Sequence, residues 1–86
     1  MNNRIAINKK VNVTAVYFQG NLKTFPKRIE CDGDTYTFLE SGMQYLIKRG
    51  DETTRLFDMT DGHATYRLKS DANQFDWTLV AITPNA

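Results

Sequence analysis

The sequence predicts an all-β fold: a small antiparallel meander of seven strands, or eight if residues 4–8 also pair, curled into a barrel or a strongly bent sheet. Two observations indicate this class. Short runs of alternating apolar and polar residues are separated by turns that contain Gly, and no run has the 3.6-residue spacing of an amphipathic helix. Strands with one apolar face must bury it, so the sheet has to curl or split into two layers.

The clearest element is a hairpin in residues 22–39, LKTFPKRIECDGDTYTFL, which turns at Asp32-Gly33. A two-residue turn of this type needs positive φ at both central positions, which Asp tolerates and Gly adopts freely. The turn places Ile29 opposite Tyr36 on an apolar face, so the turn chemistry and the apolar alternation agree. The predicted pairs are Cys31 with Asp34, Glu30 with Thr35, Ile29 with Tyr36 and Arg28 with Thr37.

The strand before this hairpin is predicted over residues 11–18, VNVTAVYF, where apolar residues alternate. A three-residue loop at residues 19–21 then places Ala15 opposite Phe25. Pro26 has no N–H group to donate to a ladder, so it marks an edge or a β-bulge in the second strand.

Four later turns complete the predicted meander, at residues 41–42, 50–52, 61–62 and 70–73. In chain order they pair Phe38 with Tyr45, Tyr45 with Phe57, Phe57 with Tyr66, and Leu68 with Phe75. This register keeps one set of side chains inward in every strand. The set is Val11, Val13, Ala15, Phe25, Ile29, Tyr36, Phe38, Met43, Tyr45, Ile47, Phe57, Met59, Ala64, Tyr66, Leu68, Phe75, Trp77 and Leu79.

Length and composition predict one domain over residues 1–86, with residues 1–10 partly a flexible tail or a short edge strand. The single cysteine, Cys31, cannot form an internal disulfide, which fits a reducing compartment. No stretch approaches the roughly 18 apolar residues of a membrane span. We therefore expect a cytoplasmic protein that does not bind membranes.

Candidate catalytic and ligand-binding residues are few. Cys31 and His63 are the nucleophile and base that the chain offers, and each lies beside an Asp-Gly turn that explains it. The acidic residues near these turns lack the spacing of a calcium loop, and one His with one Cys cannot complete a zinc site. The sequence therefore predicts a protein that is not an enzyme and that binds neither a cofactor nor a metal.

The predicted first hairpin turns several apolar side chains away from the core. This apolar group consists of Val16, Phe18, Leu22 and Pro26. Such clustering is typical of a contact surface, for a partner protein or for self-association. The alternative is a small second core covered by residues 1–10. The first reading predicts a non-enzymatic β-barrel interaction module with an unidentified protein partner.

A second outward set is basic. This basic face consists of Arg28, Lys48, Arg67 and Lys69. Small barrels can bind nucleic acid through such a sheet face, so weak nucleic-acid binding is the alternative function. The net charge of only +1 argues against a strong electrostatic attraction to nucleic acid.

The turn and core signals also resemble a family. They are Pro26-x-x-Ile29-x-x-x-Gly33-x-x-Tyr36, then Asp61-Gly62, Tyr66-x-Leu68 and Trp77-x-Leu79. In these signals the chain is similar to small uncharacterised bacterial all-β domains, some of which are found with DNA-repair polymerases. The resemblance implies a small barrel. Asp34 stands where that family usually has a basic residue, so no functional residue is carried over.

Overall fold

The computed structural model describes residues 4–20, 23–40, 42–71 and 76–85 of the chain. Within these ranges the chain forms one antiparallel sheet of seven strands in the order β3-β2-β1-β7-β6-β5-β4. The strands are β1 (Ile5–Gln19), β2 (Lys23–Cys31), β3 (Asp34–Thr37), β4 (Gly42–Arg49), β5 (Glu52–Thr60), β6 (Ala64–Ser70) and β7 (Trp77–Pro84). The predicted all-β antiparallel class is confirmed. The sheet is strongly bent but not closed, and β3 and β4 are its two edges.

Strand β1 is a single strand of 15 residues that serves two neighbours. Its first half pairs antiparallel with β7, beginning with Ile5 opposite Ile82, and its second half pairs with β2. Residues 5–10 therefore lie within β1, and the described chain has no separate eighth strand. Asn8 has a φ of 53° beside a register shift in the β1–β7 ladder, which is typical of a β-bulge.

The turn at Asp32-Gly33 has the predicted geometry. The φ angles are 52° at Asp32 and 83° at Gly33, as a type I′ turn requires. The register across β2 and β3 is the predicted one, with Ile29 opposite Tyr36. Here local turn chemistry alone was enough to determine the pairing.

The chain does not turn back after β3, so the predicted pairing of Phe38 with Tyr45 is wrong. Instead, residues 38–39 cross from one layer of the sheet to the other. The amide N–H of Phe38 donates to the carbonyl oxygen of Lys27 on β2 (2.7 Å), and that of Leu39 donates to the carbonyl oxygen of Thr60 on β5 (2.7 Å). We call these two residues the crossing segment. Because of it, β3 and β4 do not pair.

The turn between β4 and β5 is one residue shorter than predicted. Arg49 pairs with Glu52 across a two-residue turn, in which Gly50 has a φ of 59°. Glycine with positive φ at the first central position is typical of a type II′ turn. The shorter turn shifts the register by one residue, and a one-residue shift moves every side chain of β4 to the other face.

This shift contradicts part of the predicted core. Phe57 lies opposite Gln44 rather than Tyr45. Three residues predicted to face inward are exposed instead: Met43, Tyr45 and Ile47.

Strands β1 and β2 pair two residues away from the predicted register. Tyr17, not Ala15, lies opposite Phe25, and its hydroxyl donates to the carbonyl oxygen of Phe38 (2.9 Å). The pairing shifts twice near Pro26, which confirms the irregularity predicted there. The loop residues 21 and 22 lie outside the described residues.

The turn between β5 and β6 is wider than predicted, because the Asp61 carboxylate organises it. Its Oδ1 accepts the amide N–H groups of His63 (2.8 Å) and Ala64 (2.9 Å), and its Oδ2 accepts the Tyr66 hydroxyl (2.9 Å). Partial burial would raise the pKa of Asp61, but these three donors together lower it. Burial and the bond to Asp61 raise the pKa of Tyr66 to about 12.

The β5–β6 ladder, and the β6–β7 ladder from Leu68 onwards, differ in register from the prediction by an even number of residues, which preserves their inward faces. Before Leu68 a register shift in the β6–β7 ladder makes the difference odd. Phe57 lies opposite Leu68 rather than Tyr66, and Leu68 lies opposite Leu79. The predicted partner of Leu68, Phe75, lies outside the described residues.

The core lies between two layers of the bent sheet. The β2–β3 hairpin packs over β5 and β6 through aromatic pairs: the ring centroids of Phe25 and Phe57 are 5.7 Å apart, and those of Tyr36 and Tyr66 are 5.4 Å apart. Nine residues predicted to face inward are buried in this core: Val11, Phe25, Ile29, Phe38, Phe57, Met59, Tyr66, Leu68 and Leu79.

The Asp32-Gly33 turn can be tested with a matched pair of substitutions. A Cβ atom at Gly33 or at Gly20 would meet no atom within 4 Å, but only Gly33 has positive φ. We expect Gly33→Ala to cost about 1–2 kcal/mol of unfolding free energy, because an L-residue is strained in the left-handed region. Gly20→Ala should change stability by less than about 0.5 kcal/mol. Urea denaturation measures both, and equal losses would contradict the turn assignment.

Candidate functional site

The structure divides the predicted apolar group. Val16 and Phe18 are 41% and 79% exposed on β1, whereas Pro26 is fully buried on β2. Leu22 lies outside the described residues. Pro26 is therefore not exposed for contact with a partner, although it lies opposite the exposed Val16 where the β1–β2 register shifts. Residues 5–10 pair with β7 and leave Phe18 exposed, so within the described chain they do not form the alternative second core.

The basic face is also dispersed. Its residues lie on β2, β4 and β6, and three of them have partners. Arg67 forms two hydrogen bonds of 2.8 Å to the Asp58 carboxylate. The Lys69 ammonium lies 4.0 Å from the Asp71 carboxylate, and the Arg28 guanidinium donates a hydrogen bond to the Thr14 hydroxyl (3.0 Å). Lys48, the fourth residue, is exposed on β4.

The exposed large apolar residues of the described chain are concentrated on β4, where the sequence predicts Met43, Tyr45 and Ile47 to face the core. Four of its eight residues are large and exposed: Met43 (59%), Tyr45 (38%), Leu46 (59%) and Ile47 (42%). Met43, Tyr45 and Ile47 project from one face of the strand, and Leu46 projects from the other. Isolated exposed apolar residues are common, whereas clusters of them are typical of contact surfaces.

The backbone of β4 is open on one side. Arg49 and Glu52 flank a two-residue turn and therefore exchange hydrogen bonds. Hydrogen-bonded and non-hydrogen-bonded residue pairs alternate along an antiparallel ladder. Counting back from Arg49, the backbone N–H and C=O groups of Gln44, Leu46 and Lys48 therefore point away from β5. Strand β4 is last in the sheet order, so no strand of the described chain pairs with these groups. We call this side of β4 the open edge.

The position of Tyr45 beside the open edge is held by its neighbours. Its hydroxyl donates to the Met43 sulfur (3.6 Å), and the Arg67 guanidinium lies 5.8 Å from its ring centroid. Arg67 in turn is held by Asp58, directly opposite it on β5. The hydrogen bond and charge of Arg67 lower the pKa of Asp58, and Asp58 raises the pKa of Arg67. These contacts position the Tyr45 ring on the outward face of β4.

Close packing also explains why β4 begins at a glycine. Gly42 lies opposite Met59, which is fully buried. A Cβ atom at Gly42 would collide with the Met59 sulfur. The absence of a side chain at Gly42 thus lets β4 approach β5 closely at this end.

A cavity of about 270 Å³ lies between the first half of β1, the β2–β3 turn and β7. The residues that line it include Ile7, Cys31, Tyr36, Leu79 and Ile82, together with the exposed ion pair between Lys9 and Asp32 (2.6 Å). The buried Cys31 thiol and His63 share no hydrogen bond in the part of the chain that the structure describes. Nor do the described residues include a group of three or more side chains able to hold a metal.

Comparison with known proteins gives no match to a family model, to a curated protein or to a solved structure. Among the described residues there is no helix long and apolar enough to cross a membrane.

The Asp58–Arg67 pair predicts a pH dependence of stability. The pKa of Asp58 is lowered in the folded state, so the pair stabilises above the unfolded pKa of about 3.9, and this stabilisation is lost as pH falls through the lower folded value. We expect Asp58→Asn to cost about 1 kcal/mol at pH 7. The difference from the wild type should shrink below about pH 3.

Asp71→Asn is the matched control. The Asp71 carboxylate lies 4.0 Å from Lys69, and both side chains are almost half exposed, so the loss should stay below about 0.5 kcal/mol. Denaturant titrations at the two pH values measure both effects. A loss in Asp58→Asn that does not change with pH would show that the ion pair is not its cause.

Proposed function

We propose that this chain is a non-enzymatic interaction module that binds an extended segment of a partner protein along the open edge of β4. The observation that carries the proposal is the coincidence of two features in one strand. Backbone groups of Gln44, Leu46 and Lys48 point away from the sheet, and four large apolar side chains of the same strand are exposed.

Addition of a partner strand explains both features together. An edge strand binds an extended peptide through main-chain hydrogen bonds, and alternate side chains contribute specificity. The outward face offers Met43, Tyr45 and Ile47, whose apolar surface a bound strand would cover. Natural proteins usually protect such edges with charges, prolines or short length, because an open apolar edge promotes association. In β4 the charges are confined to Lys48 and Arg49 at one end.

The alternative predicted from sequence, weak nucleic-acid binding, has less support. Phosphate binding needs several free cations on one surface. Arg67 instead forms two hydrogen bonds to Asp58, and Lys69 lies near Asp71. The free, buried thiol of Cys31 suits a reducing compartment, so we also place the proposed module in the cytoplasm.

Selection from a library of random linear peptides, at a low concentration of immobilised protein, tests the proposal. We expect selected peptides to share alternating apolar residues, because they would pair with β4 as a strand. Leu46→Lys should weaken their binding at least about tenfold, because it places a charge at the centre of the open edge. Fluorescence anisotropy with labelled selected peptides measures the affinity.

Phe18→Lys is the matched control, since it replaces an equally apolar and even more exposed residue on β1. We expect this variant to bind the selected peptides as the wild type does. Peptides that lose affinity for Phe18→Lys but not for Leu46→Lys would show that the site is the exposed part of the apolar group. Recovery of no β4-dependent peptide would overturn the proposed function.

A further inference from the structure

We propose that the segment bound at the open edge is β4 of a second copy of this chain, paired antiparallel about a two-fold axis. This inference rests on the proposed function of the open edge and names its occupant. The two bent sheets would then join into one continuous sheet.

Symmetry limits the possible registers. A two-fold axis perpendicular to the sheet keeps each side chain on its own face, so odd-numbered residues must meet odd-numbered ones. With the axis at Tyr45, Met43 lies opposite Ile47 of the second copy, and the two Tyr45 residues face each other. The exposed outward side chains of the two strands then form one uninterrupted apolar row.

The backbone groups match in the same register. Gln44 meets Leu46 of the second copy, and Gly42 meets Lys48. All four residues belong to the even-numbered set whose N–H and C=O groups point away from β5. Each such pair exchanges two hydrogen bonds, so the joint ladder would contain about eight.

The charges of β4 are compatible with this pairing and exclude its main alternatives. With the axis at Tyr45, the two Lys48 residues lie six positions apart, about 20 Å at 3.3 Å per residue and beyond the Debye length of about 8 Å. Each Lys48 faces Gly42, which has no side chain to obstruct it. Parallel pairing would place like charges side by side. An axis at Leu46 would place Arg49 opposite Met43 and break the apolar row.

Sedimentation equilibrium of the full chain, from about 1 µM to about 500 µM, tests the inference. We expect a dimer whose dissociation falls within this range. Tyr45→Lys and Tyr45→Glu should each be monomeric, because the axis sets two like charges about 5 Å apart. Mixing these two variants in equal amounts should restore a dimer, because opposite charges then face each other. Phe18→Lys should dimerise like the wild type.

Substitutions at positions 43 and 47 test the same pairing even if the Tyr45 variants fail to fold. Ile47→Lys alone should be monomeric, and adding Met43→Glu should restore the dimer, since the two positions face each other across the axis. Far-UV circular dichroism verifies that each variant is folded.

Three outcomes would overturn the inference. The first is a wild-type chain that is monomeric at about 500 µM, which leaves the proposed function standing if selected peptides still bind β4. The second is a mixture of folded Tyr45→Lys and Tyr45→Glu that stays monomeric, which contradicts the two-fold pairing. The third is a dimer that Phe18→Lys abolishes and the Tyr45 variants do not, which places self-association elsewhere.

Discussion

The crossing segment is the constraint on which the shape of the sheet depends. The Phe38 amide donates a hydrogen bond to β2 and the Leu39 amide donates one to β5, each with an N···O distance of 2.7 Å. The chain therefore passes between the two layers instead of forming a hairpin. The ring centroids of Phe38 and Tyr66 are 5.1 Å apart, and the backbone carbonyl oxygen of Phe38 accepts a hydrogen bond from the Tyr17 hydroxyl. These contacts hold the layers together at the place where a closed barrel would have paired β3 with β4.

The open edge follows directly from that constraint. With β3 unable to reach β4, the sheet ends at β4 and an eight-residue strand is left with one side unpaired. Other contacts position this edge: Gly42 allows close approach to Met59, and Asp58 holds Arg67 against the Tyr45 ring. The proposed interaction site is therefore a consequence of the way the chain crosses between the layers at residues 38–39.

The Asp32-Gly33 turn was predictable from its own chemistry, whereas the same dipeptide at Asp61-Gly62 forms a wider turn that the Asp61 carboxylate organises. The Asp32-Gly33 turn determines the register of its hairpin. The predicted turn at Gly50 contains one residue more than the observed one, and this difference places the side chains of β4 on the opposite faces from those predicted. The signal that could have found the true register was Gly50 itself, which suits the first central position of a type II′ turn. The crossing segment has no local signal, because its partners, Lys27 and Thr60, are distant in sequence.

Residue-resolved amide hydrogen exchange along β4, in a sample shown to be monomeric, is the most direct test of the open edge. The amides of Tyr45 and Ile47 point towards β5 and should be protected, whereas those of Leu46 and Lys48 should exchange nearly as fast as in an unfolded chain. An alternating pattern would confirm that β4 has one strand neighbour. Equal protection of all four amides in the monomer would show that β4 is paired on both sides and that the sheet is closed.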